Sequence, residues 1–132
     1  MRYMLDTNIC VALIRKKSKK LTQKIVSQPS GIIGLSVVTV AELMYGTQKS
    51  VQPKENRIAL EQFLLPFEVA EFGLPASREY GILRAYLEKS GNIIGSMDML
   101  IGAHALSLDV VLVTNNTKEF KRIPHLKIED WM

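Results

Sequence analysis

Short apolar runs alternate with helical stretches along the whole chain, and this alternation constrains the fold more than any other feature. Residues 3–5, 32–37, 67–72, 110–113 and 127–129 read as strands, β-branched or apolar and bounded by turn residues. Between them the spacing predicts helices over 9–14, 21–27, 39–48, 53–64 and from Pro75 to a stop at Gly91. A further helix, with Ser96 as its cap, would present Met97, Leu100, Ile101, His104, Ala105 and Leu108 on one apolar face. Strands joined through helices pair in parallel rather than as hairpins. The expected class is therefore α/β, a mostly parallel sheet with helices on both faces. In such sheets ligands bind beyond the carboxyl ends of the strands.

With 132 residues, 47% hydrophobic and 23% charged, the chain is long enough for one compact domain spanning 1–132, and no linker, repeat or low-complexity stretch divides it. The single cysteine, Cys10, excludes an internal disulfide and a cysteine-based zinc site. It sits in an apolar helix without a paired base and reads as a small core residue. His104 lies on an apolar helix face and reads as core, and His125, after Pro124, as surface. No apolar run approaches the ~18 residues of a membrane span, and the opening Met-Arg-Tyr-Met-Leu-Asp lacks the apolar region of a signal peptide. The expectation is a soluble cytoplasmic protein without a membrane partner.

The net charge of +4 conceals an asymmetry. Residues 1–54 carry nine basic residues against two acids, Asp6 and Glu42, for a local charge of +7, while residues 55–132 sum to −3. Five of the six residues from Arg15 to Lys20 are basic, namely Arg15, Lys16, Lys17, Lys19 and Lys20. A second group comprises Lys118, Lys121, Arg122 and Lys127. Such groups suit a phosphate backbone, supplying affinity and salt dependence but little sequence choice, although basic runs are also ordinary solvated faces. Tyr45 and Phe120 are the candidates for stacking on bases, although both also suit a core.

The acids fall where the strand-end rule points. Asp6 directly follows the first strand, Glu42 lies in the first turn of the helix after the second, and Asp98 opens another helix. Asn116 and Glu119 follow the fourth strand. Clustered carboxylates resist ionisation unless a cation neutralises them, and hard divalent ions such as Mg²⁺ and Mn²⁺ prefer oxygen ligands. Such a site can activate water against a phosphodiester. Each acid also has an ordinary role open to it. Asp6 can cap the first helix, Thr39 and Glu42 spell a capping box, and Asp98 suits a helix dipole. A charge ending an apolar strand nonetheless needs a partner.

Four segments, in order, resemble the motifs of PIN-domain ribonucleases and, among them, VapC toxins of type II toxin–antitoxin pairs. They are Tyr3-Met4-Leu5-Asp6-Thr7-Asn8, the stretch from Leu35 to Gly46 around Glu42, the stretch from Gly95 to Ala105 around Asp98, and Val113 to Phe120. The ending at Ile128-Glu129-Asp130-Trp131 is similar too. The resemblance implies a three-layer sandwich, a Mg²⁺- or Mn²⁺-dependent endoribonuclease, a VapB-type antitoxin and a homodimer. It implies that Asp6, Glu42 and Asp98 bind the metal, supported by Asn8 and Thr114. Structured RNA is the implied substrate, with tRNA, and the anticodon stem-loop of initiator tRNA, favoured. Asn116 stands where many PIN domains carry Asp; either its carbonyl or Glu119 would complete the site.

Two other functions remain compatible with the residues. A phosphatase with Asp6 as nucleophile would carry a second acid two positions on, where this chain has Asn8. A non-catalytic RNA-binding module would need only the basic groups. Tyr45-Gly46 and the stretch 58–65 suggest a groove for an amphipathic partner segment, or internal packing.

Overall fold

The computed structural model describes residues 1–132. Five strands form one sheet: β1 (Tyr3–Leu5), β2 (Ile33–Ser36), β3 (Glu68–Ala70), β4 (Val111–Val113) and β5 (Ile128–Glu129). Their order is β3-β2-β1-β4-β5, and every neighbouring pair is parallel. Seven helices join them: α1 (Thr7–Ile14), α2 (Lys19–Val26), α3 (Val37–Gln48), α4 (Pro53–Leu64), α5 (Leu74–Ser90), α6 (Ser96–Leu108) and α7 (Thr117–Phe120). The chain builds outward from β1 to β3, then crosses back and builds from β4 to β5 on the other side. That reversal opens a crevice at the carboxyl ends of β1 and β4. No helix is long and apolar enough to cross a membrane.

The two faces of the sheet bury different residues because side chains alternate along a strand. Leu5 and Val113 join Ile9, Cys10, Leu21, Leu43 and Leu60, under the layer made by α1 to α4. Met4 and Leu112 join Leu83, Leu87, Met99 and Ile101, under α5 and α6. Three layers result, as expected of the class. Strands covered on both faces read as continuous apolar runs, which is why β1 and β4 were visible without any alternation.

The boundaries move for identifiable reasons. β2 stops at Ser36 because its Oγ accepts the Val38 N–H at 3.0 Å and caps α3, which begins at Val37 rather than at residue 39. Ser18 likewise caps α2 by accepting the Leu21 N–H at 3.1 Å, so Lys19 and Lys20 are helical and α2 begins at residue 19 rather than at 21. The cap of α6 is Gly95, not Ser96, with no side-chain hydrogen bond. The anticipated face of α6 is only partly its buried one: Ile101, His104 and Ala105 are buried, but Met97 and Leu108 are 48% and 44% exposed, and Met99, Gly102 and Ala103 are buried outside it. This helix touches α3, α5 and β4, and Gly102 faces Ile123 beyond α7, so it is enclosed on several sides and has no single apolar stripe. The one-turn helix α7 has no counterpart among the expected helices, since four residues carry no period.

Gly34 marks a tight point of the sheet. A Cβ there would lie 2.7 Å from the Glu68 carbonyl oxygen of β3 and would also strike the Met1 side chain. Gly34→Ala should therefore destabilise the protein by about 1–3 kcal/mol, the usual cost of overpacking. A thermal melt should show the midpoint falling by several degrees, and an unchanged midpoint would show that β2 and β3 can part without cost.

Candidate functional site

The sheet register assembles the site. Leu5 is level with Leu35 on one side and Val113 on the other, so Asp6, Ser36 and Thr114 emerge together at the carboxyl edge. Asp6 is 3% exposed, and both its oxygens are engaged. Its Oδ1 accepts the Ile9 N–H at 2.8 Å, and its Oδ2 accepts the Thr114 hydroxyl at 2.5 Å. Asp6 is thus the cap of α1, but capping uses only one of its oxygens. The Thr114 hydroxyl in turn accepts the Asn116 N–H at 2.9 Å. The backbone N–H of Asn8 also favours the Asp6 carboxylate, while the Asn8 side chain is exposed.

Glu42 is held from α1. The Thr7 hydroxyl donates to its Oε1 at 2.6 Å, with the buried Thr39 hydroxyl 3.4 Å from Thr7. The anticipated capping box does not form, because Ser36 is the cap and Thr39 is the third residue of the helix. The contact of Thr7 with Glu42 spans 35 residues and leaves no local signal in the sequence.

Asp98, in the first turn of α6, has its carboxyl pushed up to about 6. Burial is the largest cause, followed by the charge of Glu119 and then that of Asp6. A hydrogen bond shared with Glu119 and the charge of Glu42 add to it. The Asp6 carboxyl is also raised, chiefly by burial and against the pull of Thr114 and Ile9. The four acids therefore face one another across the crevice. The chain's four ion pairs all lie elsewhere, so no basic side chain neutralises them. No three of the acids are drawn close enough to clasp an ion by themselves. Asn116 and Glu119 form a pair, with Asn116 Nδ2 donating to Glu119 Oε2 at 3.1 Å. Asn116 thus aims Glu119 while its own carbonyl oxygen makes no bond to it.

Arg15, Lys16, Lys17, Lys19, Lys20 and Lys118 are all exposed, and of these Arg15 and Lys16 line the cleft that Thr7 and Glu42 reach. Two members of the second basic group are engaged: Lys127 pairs with Asp109 at 3.4 Å, and Arg122 donates to the Ile93 carbonyl at 3.1 Å. Phe120 is 1% exposed, buried by the apolar face of α6, and so cannot stack on a base. Tyr45 is 66% exposed, with Lys49 Nζ 5.0 Å from its ring centroid. A cleft of about 700 Å³ runs between α1, α3 and α4; Val11, Leu60 and Phe63 line it, and Thr7 and Glu42 reach it. Gly46 and Leu60 from the anticipated groove line this cleft, whereas Tyr45 does not.

Cys10 is fully buried, and burial pushes its thiol far up, so it is inert. His104 is buried and His125 exposed, as expected. An Asp6 nucleophile is disfavoured, because both its oxygens are hydrogen-bonded and almost nothing of it is open to an incoming phosphate.

A five-stranded parallel sheet with carboxylates gathered at its point of reversal is the arrangement of a PIN domain. The PIN-domain family model matches residues 3–126, and the chain belongs to that family. Within it the chain belongs to the VapC proteins. It is 43% identical to Ribonuclease VapC2 of Rickettsia felis over 132 residues, covering 99% of this chain and 98% of the relative. It is 37% identical to the tRNA(fMet)-specific endonuclease VapC of Shigella flexneri, again covering 99% and 98%. Among solved structures, DNA-bound VapBC from Salmonella typhimurium matches with a TM-score of 0.95 and 36% identity over 100% of this chain and 99% of that one. VapBC2 from Rickettsia felis, bound to a promoter DNA fragment, matches with a TM-score of 0.91 and 42% identity over the whole of both chains.

The elevated Asp98 carboxyl has a thermodynamic consequence. The folded state binds a proton at Asp98 more tightly than the unfolded state does, so this stabilisation is present below the ordinary value near 3.8 and is lost as pH rises through about 6. Asp98→Asn should therefore raise the melting midpoint at pH 7 in EDTA by a few degrees, about 3 °C. The advantage should shrink as pH is lowered towards 4. A variant less stable than the parent at pH 7 would mean that Asp98 is compensated by a group other than those described.

Proposed function

We propose that this chain is the toxin of a type II toxin–antitoxin pair, a Mg²⁺- or Mn²⁺-dependent endoribonuclease that acts in the cytoplasm and inhibits translation. Its substrate is structured RNA, namely tRNA, with the anticodon stem-loop of initiator tRNA favoured. A VapB-type antitoxin holds it inactive. The observation that carries the proposal is the group of four carboxylates, Asp6, Glu42, Asp98 and Glu119, facing one another without a paired cation. The names of its relatives, a ribonuclease and a tRNA(fMet)-specific endonuclease, support the reaction and substrate. The VapBC complexes among the similar structures support the partner. On α5, Leu74, Ile82 and Tyr86 are 70%, 68% and 51% exposed and supply apolar surface for a homodimer.

The donor set suits a hard divalent cation, being all oxygen and uncompensated in charge. Asp6, Glu42 and Asp98 would hold it, with Glu119 and the Asn116 carbonyl at the margin. Three converging acids are not required for Mg²⁺, which takes one or two carboxylates and leaves its other positions to water and phosphate oxygens. When bound, the cation would lower the pKa of water and neutralise charge developing on the phosphodiester. The chain's own residues hold these ligands in place: Thr114 and the Ile9 N–H fix the Asp6 carboxylate, and Thr7 fixes Glu42. Exposed Arg15, Lys16, Lys17, Lys19, Lys20 and Lys118 would draw in the RNA backbone. The water's oxygen replaces one ester oxygen on phosphorus, and no covalent enzyme intermediate is needed.

Purified protein incubated with total tRNA should produce discrete fragments with Mg²⁺ or Mn²⁺ and none with EDTA. Asp6→Asn should cut cleavage at least 10³-fold with the melting curve retained, a loss in line with removing charge from an electrostatic site. Cleavage that persists in EDTA or in Asp6→Asn would overturn the assignment. The basic residues predict a second outcome. A double change of Lys16 and Lys19 to Gln should weaken RNA binding and flatten the slope of log affinity against log salt by about 1–2. An unchanged slope would remove these lysines from the RNA path.

A further inference from the structure

One buried polar contact lies outside the acid cluster and is used by nothing described so far. His104, 1% exposed on α6, has its Nδ1 2.7 Å from the Oγ of Ser36, which is fully buried at the end of β2. Ser36 Oγ already accepts the Val38 N–H, so its own hydrogen is free to be donated to Nδ1. Burial keeps the His104 ring neutral, which leaves Nδ1 able to accept. The other ring nitrogen, Nε2, makes no close hydrogen bond, although the Glu71 backbone bears on the ring as a hydrogen-bond partner, and the edge of the ring meets Phe72, with centroids 5.2 Å apart. An apolar side chain would fill this pocket with no polar atom to satisfy, so the imidazole is a costly occupant of it.

The place of the contact suggests what it does. Ser36 starts the helix that carries Glu42, and His104 stands on the helix that carries Asp98, each six residues from its acid. No other hydrogen bond joins α3 to α6; Val38 of α3 packs against the apolar cluster that holds Met99, Ile101 and Ala103 of α6, and such packing is non-directional and sets the depth of a helix better than its register. A hydrogen bond in a dry interior is directional and has the registry role attested for buried polar pairs. We infer that the Ser36–His104 hydrogen bond is a positioning device that sets α6 against α3, and thereby sets Asp98 opposite Glu42 for cation binding. The inference rests on the proposed metal site. His104 is a positioning residue here, since it touches none of the four acids.

Direct Mn²⁺ binding in the absence of RNA, read as loss of the free-ion electron paramagnetic resonance signal, tests it together with thermal melts. The parent protein must bind Mn²⁺ and Asp98→Asn must not; failure of this control would sink the proposed metal site itself. Given that control, His104→Leu should weaken Mn²⁺ binding at least tenfold. His104→Asn, whose Oδ1 falls near the position of Nδ1, should restore most of the affinity. His104→Gln, which reaches towards Nε2 instead, should not. Ser36→Ala removes the donor while leaving the ring in place and should match the leucine variant, so the test survives if His104→Leu does not fold. Parent-like Mn²⁺ affinity in Ser36→Ala or in a folded His104→Leu would reduce the contact to simple packing. Rescue by Gln rather than Asn would also overturn the inference.

Discussion

A carboxylate at the end of a buried strand must be given partners or it will not stay charged, and much of this structure serves that demand at Asp6. Its two oxygens are answered from opposite directions, one by the backbone of the helix that follows it and one by Thr114 from the neighbouring strand. The second bond crosses the point where the order of the sheet reverses, joining the first half of the chain to the last. The functional edge is therefore closed by residues 108 positions apart. It holds because β1 and β4 are short, parallel and in register.

The remaining acids are brought in by helices and stay in tension. Asp98 is raised by its neighbours and by burial, and no lysine or arginine relieves it. Thr7, Thr114 and Asn116 point individual carboxylates without adding charge. The edge is thus oriented by neutral donors and left electrically incomplete, which is the state that favours a cation from solution. Basic residues stand exposed on the turn after α1, on α2 and on α7, where they can attract a polyanion without pairing with the acids. The small net charge of +4 is the sum of these two opposed arrangements.

Particular residues show how far sequence patterns reach. The strand at 3–5 and the acid after it were legible because a run buried on both faces is apolar throughout and ends abruptly at a charge. The helix at 74–90 was legible from Pro75 and Gly91 at its ends, and Ala76, Leu83 and Leu87 are buried along it. The buried face of α6 was legible only in part, because a helix enclosed on several sides carries no single stripe to read. For Phe120 the sequence left both stacking and core open, and packing against α6 decided for the core. Thr7, Ser36 and Thr39 gave no sign of their partners, since each partner lies more than 30 residues away.

By itself, the sequence determined the class of fold, the outward order of secondary structure and the identity of the acids. These follow from local period, turn chemistry and residue type, all of which act over a few neighbouring positions. Only the tertiary structure decided that those acids share one edge, which oxygen of each is already bonded, and that Asn116 serves Glu119. It also decided that the chain's one buried imidazole ties together the two helices bearing Glu42 and Asp98. Register and helix packing are long-range quantities, set when distant segments meet, and no local pattern encodes where a side chain's partner will stand.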